Sequence, residues 1–351
     1  MDFSLSEETL MLAETVERML LEACTPAHLR KLATSGEAFD PDRWRRIAAM
    51  GLPGMNAPVE LAGSGLDEVA AVLIAEACGR VALPEPLTEH AGVAAPLLAA
   101  TGAGGELLEA AVDGEKLLAI GHPVNPLVAG ADRAAAFLLE HQGEVHLVPA
   151  DAVQLRRRES LDEFRRLFEV SWTPTPATRI ADAEQGRRLW AEALERGALL
   201  TAAQALGLAR GAIELAVEYA KVREQFGKPI GVNQAVKHIL ADQQVKLSFA
   251  RPVVLAAAAD FAAADLVSSG RVSHAKLAAT AAAESATRAA VQVFGAIGIT
   301  FEAGVHFYVK RALALTAAWG GKAFHRERAA RRVFEAPIGP HNTFARAGAA
   351  A

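Results

Sequence analysis

The stretch that most limits the fold is GALLTAAQALGLARGAIELAVEYAKVREQFG, residues 197–227. Alanine and leucine favour helix, and the charges fall at Arg210, Glu214, Glu218 and Lys221. Those positions step i, i+4, i+8, i+11, which draws one solvated stripe along a helix that is apolar elsewhere. Such a helix needs neighbours around most of its circumference, and the chain supplies them. NQAVKHILADQQVKLSFARPVVLAAAADFAAADLV follows at 233–267, where Pro252 is predicted to kink or split the helix. HAKLAATAAAESATRAAVQVFG follows at 274–295. Several long apolar helices side by side predict a four-helix-type bundle.

The rest of the chain divides by pattern. Residues 1–114 read as helices joined by short loops. Ser6 is an N-cap candidate before SEETLMLAETVERMLLEA. DPDRWRRIAAMG begins on Asp and Pro and stops at Gly51, and the helix in GLDEVAAVLIAEACGR is predicted to end at Gly79. Residues 115–182 change period. KLLAIGHP, AAAFLLE, EVHLVPA and LFEVSWTP are short apolar or alternating runs bounded by Gly, Pro, Asp and Asn, and they read as strands of a small sheet. Within this region LRRRESLDEFRR (155–166) reads as the solvated face of a helix or hairpin. The bundle takes 183–335, and 336–351 reads as a loose tail. The predicted fold is mostly α, with a shortened β-domain between two helical regions.

Composition narrows the partners. With 351 residues the chain is long enough for two or three lobes, and it is 52% hydrophobic. The net charge is -5 and the cations are scattered, which gives no nucleic-acid footprint. Cys24 and Cys78 each sit in an apolar helical pattern, unlike a disulfide framework or a thiolate metal site. His238, His306 and His325 share no metal-ligand spacing. The start, MDFSLSEE, lacks the basic and apolar regions of a secretory signal. The apolar run 253–267 contains two aspartates and is too short to span a bilayer. A soluble cytoplasmic protein is expected.

Three motifs carry chemistry. YAKVREQFGKPIG (219–231) ends the long helix with Arg223, Phe226, Gly227 and Lys228. Arg223 lies about 140° round from Glu218, off the charged stripe. It is either a cation at the helix C-terminus or an arginine for a phosphate, which its planar fork suits. In QVFGAIGITFE (292–302), Gln292 precedes Gly295 and Gly298, which serve either an inter-helix turn or close approach of backbone to a ligand. In ALTAAWGGKAF (314–324), Trp319, Gly320 and Gly321 break a helical pattern.

Taken together, YAKVREQFGKPIG, NQAVKHILAD, HAKL and QVFGAIGITFE resemble the acyl-CoA dehydrogenase flavoproteins in order and spacing, and GLPGMNAPVELAGSGLDEVAAVLIAEACGR resembles that family's N-terminal loop and helix. The resemblance implies a helical domain, a β-domain and a C-terminal four-helix domain that hold FAD across a subunit interface. It implies a CoA thioester as substrate, the trans-2-enoyl thioester as product, and an electron-transfer flavoprotein as acceptor. It places Arg223 and Phe226 at the flavin pyrophosphate, Gln292 at the adenine end of a neighbour's flavin, and Gln234, Gly295 and Ala296 in the same cofactor-binding set.

The departures from the family pattern are local. GHPVNPLVAGAD (121–132) replaces the family's flavin loop, and the WITN-like strand has no counterpart; Trp172 in SWTPTP lacks that context. The family's catalytic glutamate, in a Tyr-Glu-Gly-Thr turn, falls on Trp319. The alternative glutamate position, early in the first long C-terminal helix, falls on Gly197. Glu195 is two residues away, about 200° round the helix. No carboxylate is placed as a base, with Glu195 the one nearby candidate. The pattern resembles the short, non-catalytic-type subunits of heteromeric actinobacterial acyl-CoA dehydrogenases associated with steroid side chains. It implies a second chain of the same type as partner, with a homo-oligomer or a flavin-free scaffold as alternatives.

Overall fold

The structure, a computed structural model, describes residues 5–261 and 265–335. Six helices come first: α1 (Glu7–Ala23), α2 (Pro26–Thr34), α3 (Pro41–Ala48), α4 (Glu68–Arg80), α5 (87–100) and α6 (Gly105–Val112). Their starts follow local chemistry. Ser6 Oγ accepts from the Thr9 amide at 3.1 Å, and Asp40 accepts from the Asp42 amide just before Pro41. α3 ends at Ala48, capped at Ala49, three residues before the stop the sequence places at Gly51; Gly51 holds the turn that follows at φ 69°.

Seven strands follow in two small sheets. β1 (Leu117–Gly121) pairs in parallel with β3 (Ala134–His141), which continues antiparallel through β4 (Glu144–Pro149) to β7 (Arg179–Ala181). β2 (Val128–Ala129), β6 (Leu167–Ser171) and β5 (Gln154–Arg158) form the second sheet. Phe137, Leu139 and Val148 of the first sheet share a buried cluster with Val128 and Phe168 of the second. The four expected strands are present. β2, β5 and β7 are additions to them.

The charged run 155–166 departs from its sequence reading. Residues 155–158 form most of β5, an exposed edge strand, but the following turn packs inward. Asp162 is 2% exposed and pairs with buried Arg311, and Phe164 packs on Phe307.

Bundle helices α7 (Ala183–Val222), α8 (Gln234–Ala259), α9 (Leu266–Phe294), α10 (Val305–Ala317) and α11 (Lys322–Glu335) complete the described chain. α7 is 40 residues long, and by length and composition it could cross a membrane; 72% of its most apolar stretch is buried inside the protein, so it is a core helix. Two readings are corrected here. α8 runs through Pro252 without a break. α4 continues past Gly79 to Arg80, and Gly79 serves a helix crossing: a Cβ there would lie 1.9 Å from the Gln204 carbonyl oxygen of α7. The tail after Glu335 lies outside the described residues.

Candidate functional site

Two places collect the residues singled out by sequence. The first is a groove at the C-terminal end of α7. The helix ends at Arg223, whose backbone turns extended (φ -75°, ψ 120°). The chain then makes a hairpin, β8 (Glu224–Gln225) and β9 (Lys228–Pro229). Its two turn residues, Phe226 and Gly227, have φ 54° and 76°, the signs of a type I′ turn. Phenylalanine is disfavoured in that conformation, yet Phe226 holds it while 98% exposed.

Opposite the hairpin, α9 stops at Gly295. Its φ of 66° and ψ of -145° suit glycine and strain other residues. Tyr219, Arg223, Gln225 and Ile230 line one wall of an open groove, and Val293, Phe294, Gly295, Ala296 and Ile297 line the other. The Arg223 side chain is exposed and has no carboxylate partner among the described residues. Fold therefore brings Arg223, Gly295 and Ala296 together across about 70 residues of sequence. Phe226, Gln234 and Gln292 are exposed and stand outside that lining. Exposed Val222, Val232, Ile297 and Ile299 add apolar surface on the same segments.

The second place is the turn after α10, and here the two glutamate positions meet. Trp319 is 1% exposed at φ 54°. Its indole lies against Gly197 of α7, where a Cβ would come within 2.1 Å of the ring. One indole thus fills the space to which both positions lead. His122 packs on it with ring centroids 5.6 Å apart, and Asn125 Oδ1 accepts the Trp319 amide at 2.8 Å. Both residues belong to the 121–132 segment that replaces the family's flavin loop. That segment is bonded directly to the turn, and the void beside them measures about 20 Å³, room for one water at most. A neighbouring void of about 50 Å³ is walled by Glu89, Arg165 and Arg311.

Neither family glutamate position offers a base here, and the one carboxylate among the lining residues of the smaller void, Glu89, is paired with Arg165 and accepts from Thr88 Oγ1. Glu195, two residues before Gly197, is 2% exposed; it pairs with Arg328 of α11 and accepts from Ser269 Oγ of α9 at 2.9 Å. The nearby histidines are fully used. His122 Nε2 donates to the Trp190 carbonyl and Nδ1 accepts from the Val124 amide. His325 Nε2 donates to the Trp319 carbonyl and Nδ1 bonds Ser273 Oγ. Burial, foremost, lowers the pKa of both, to about 4 for His325. Sequence reasoning missed the supports of the turn: Lys276 Nζ donates to the Leu315 and Ala318 carbonyls at 2.6 Å, and burial pushes its pKa well below the ordinary lysine value. HAKL was the available signal, since a lysine in an otherwise apolar helical run must find acceptors. Among the described residues no cluster of His, Cys, Asp or Glu could hold a metal ion.

Comparison with known proteins gives a consistent picture. Residues 6–104 match the acyl-CoA dehydrogenase N-terminal domain and residues 184–334 the acyl-CoA dehydrogenase C-terminal domain. The acyl-CoA dehydrogenase IpdE2 of Mycolicibacterium smegmatis is 32% identical over 311 residues, covering 88% of this chain and 93% of that protein. The ChsE4-ChsE5 complex of Mycobacterium tuberculosis contains a chain that superposes with a TM-score of 0.81 at 26% identity, over 96% of this chain and 100% of that one. A chain of a Tcur3481-Tcur3483 steroid ACAD superposes with a TM-score of 0.82 at 26% identity, over 95% of this chain and 99% of that one.

Proposed function

The chain belongs to the acyl-CoA dehydrogenase family, FAD-binding oxidoreductases, and from that premise we propose that it completes the flavin site of a different, catalytic chain of the same family. The observation that carries this reading is the Trp319 indole against Gly197. Dehydrogenation of an acyl thioester needs a carboxylate to take the proton from Cα and a hydride acceptor at Cβ, the chemistry that FAD would supply when bound. Both carboxylate positions are lost here, and the residual voids are far too small for a flavin ring. The chain's own cleft does not fit the cofactor.

The outward groove does fit one. Arg223 offers an unpaired guanidinium, and Gly295 and Ala296 let a ligand approach backbone closely. Phe226, strained and solvent-facing, would cover the ligand from the hairpin, while Gln292 and Gln234 would reach it from α9 and the start of α8. In the assembled enzyme the partner supplies the base and the ring cradle, and this chain grips the diphosphate. The steroid description of the Tcur3481-Tcur3483 neighbour favours a bulky, ring-bearing acyl-CoA over a straight-chain one. The trans-2-enoyl thioester is the product, and an electron-transfer flavoprotein is the acceptor. A flavin-free scaffold would have no use for an exposed phenylalanine in a left-handed turn beside an unpaired arginine.

The absorbance spectrum tests this. Expressed alone, the chain should carry little or no FAD; co-expressed with its catalytic partner, it should yield a yellow complex. A stoichiometrically flavinylated homo-oligomer of this chain alone would overturn the reading and favour a self-sufficient enzyme. In the complex, Arg223→Ala should lower flavin retention about ten-fold or more, the worth of a hydrogen bond to a charged group.

A further inference from the structure

The loop between β5 and β6, residues 159–166, closes over the small voids beside the Trp319 turn, and it is held there mainly by charge. It contains two apolar side chains. Phe164 is buried on Phe307, with ring centroids 5.1 Å apart, while Leu161 is 62% exposed. The other side-chain fastenings are four ion pairs. Asp162 to Arg311 is buried. Glu163 to Lys310 (2.8 Å), Arg165 to Glu89 (3.3 Å) and Arg166 to Asp132 (2.7 Å) are partly reached by solvent. Pairs of that kind are individually weak and are screened by salt. A strap fastened this way can let go at its edge without the fold coming apart.

The Glu89–Arg165 pair has the decisive position. Both residues line the void of about 50 Å³ under the strap and also the void of about 20 Å³ that reaches Trp319 and Asn125. The pair is thus the partition between the two. Were Arg165 to leave with the strap, the voids would run together into one cleft ending on the Trp319 indole.

We propose that residues 159–166 are a clasp, latched by Glu89 and Arg165, that keeps acyl chains out of this chain's own cleft. The inference rests on the reading above that turnover takes place on the partner chain. A cleft that has lost its base gains nothing by holding substrate, and substrate held there would be withdrawn from the partner. Trp319 fills one end of the cleft, and the clasp covers the other.

Anilinonaphthalene sulfonate, an apolar dye that brightens out of water, reports opening in the full-length chain. Wild type at low salt should bind little. Glu89→Gln/Arg165→Gln removes the latch without stranding a charge. Its dye fluorescence should rise about three- to five-fold, the reach of one half-exposed pair, while the melting temperature moves by no more than about 3 °C. Decanoate should displace the dye from that variant. Glu89→Arg/Arg165→Glu remakes the pair with its signs exchanged and should return the signal to that of wild type. Salt raised to about 1 M should brighten wild type toward the double variant and leave the variant nearly unchanged. A double variant as dark as wild type overturns the inference. So does a charge swap as bright as the double variant, dye that decanoate does not displace, or brightening that comes with a large fall in melting temperature. Co-purified flavin separates the two levels of failure. A wild-type chain that carries stoichiometric FAD by itself overturns the reading of a partner-borne site, and the clasp with it. A flavin-free wild type whose double variant stays dark overturns the clasp alone.

Discussion

Trp319 holds its backbone at φ 54°, a conformation that costs a bulky residue on the order of 1–3 kcal/mol. It persists because three elements hold it: Asn125 takes its amide, His325 bonds its carbonyl, and Lys276 bonds the carbonyl before it. Trp319→Ala should cost about 3–5 kcal/mol, the usual penalty for emptying a large aromatic site. Trp319→Gly should cost less, because glycine relieves the strain while leaving the same hole. Indole added to Trp319→Gly should raise its melting temperature; no shift would mean that the site collapses instead of persisting as a slot. Gly197→Ala supplies the partner measurement. In wild type its methyl meets the indole and should cost about 1–3 kcal/mol, whereas in the Trp319→Gly background it should cost almost nothing. Additive costs would show that the two sites do not share the space. Neither Trp319 variant should gain turnover alone. Glu195→Gln should leave turnover of the complex unchanged, since that carboxylate is tied to Arg328 and Ser269; loss of turnover with flavin and assembly intact would place the base on this chain.

Helix α4 crosses α7 so closely that a Cβ at Gly79 would lie 1.9 Å from the Gln204 oxygen and one at Gly207 would lie 1.8 Å from the Glu76 oxygen. Both obstacles are backbone and cannot rotate away. Gly79→Ala or Gly207→Ala should therefore destabilise by about 3 kcal/mol or more, measured as a shift in urea midpoint; a loss under about 1 kcal/mol would mean that the crossing opens freely. The same contact explains why Gly79 was misread as a helix stop. A glycine that ends a helix and one that admits another backbone look alike until the second helix is in place. What the sequence encodes locally was legible: the capped starts, the apolar strands and the exposed end of the α7 stripe at Glu218 and Lys221, whereas Arg210 and Glu214 are half-buried and pair with Glu17 of α1 and Arg80 of α4. What depends on partners was not. β5 carries Arg156, Arg157 and Arg158 on an exposed edge, where arginines discourage pairing with other chains but hide the strand from any test of alternation. Asp162 sits in the run that reads as a solvated face, and it is buried against Arg311, far away in sequence. The groove was legible only through family resemblance, because Arg223 and Gly295 are separated by two long helices and no local pattern links them. The stack of Tyr219 on Phe294 in its wall went unseen for the same reason.

Across the whole molecule, the turn at 159–166 ties the regions together. Asp162 and Glu163 reach Arg311 and Lys310 of α10, Arg165 reaches Glu89 of α5, and Arg166 reaches Asp132 beside β2. Buried histidines add a second set of ties. His90 Nε2 donates to the Ala111 carbonyl, and Nδ1 accepts from the Leu118 amide, joining α5 to α6 and β1. His325 joins α11 to α9 and to the Trp319 turn. His90 must stay neutral to accept the Leu118 amide, and burial, foremost, lowers both rings to a pKa of about 4. In the unfolded chain they titrate near 6.5. Below that pH the unfolded state binds protons that the folded state refuses, so stability is complete above about pH 6.5 and falls as the pH drops toward 4. Each ring contributes a slope of about 1.4 kcal/mol per pH unit within that window. The carboxylates that are lowered in the fold, Glu284 among them, act mainly below their unfolded pKa near 4.5. The interval from 6.5 to 4.5 therefore isolates the histidines. Urea unfolding across it should show a steep loss of stability for wild type. His90→Gln should be less stable at pH 7, because the fit of the ring is gone, yet its stability should fall less steeply with pH. An unchanged slope in that variant would mean that His90 does not resist protonation in the fold, and the acid sensitivity would have to come from elsewhere.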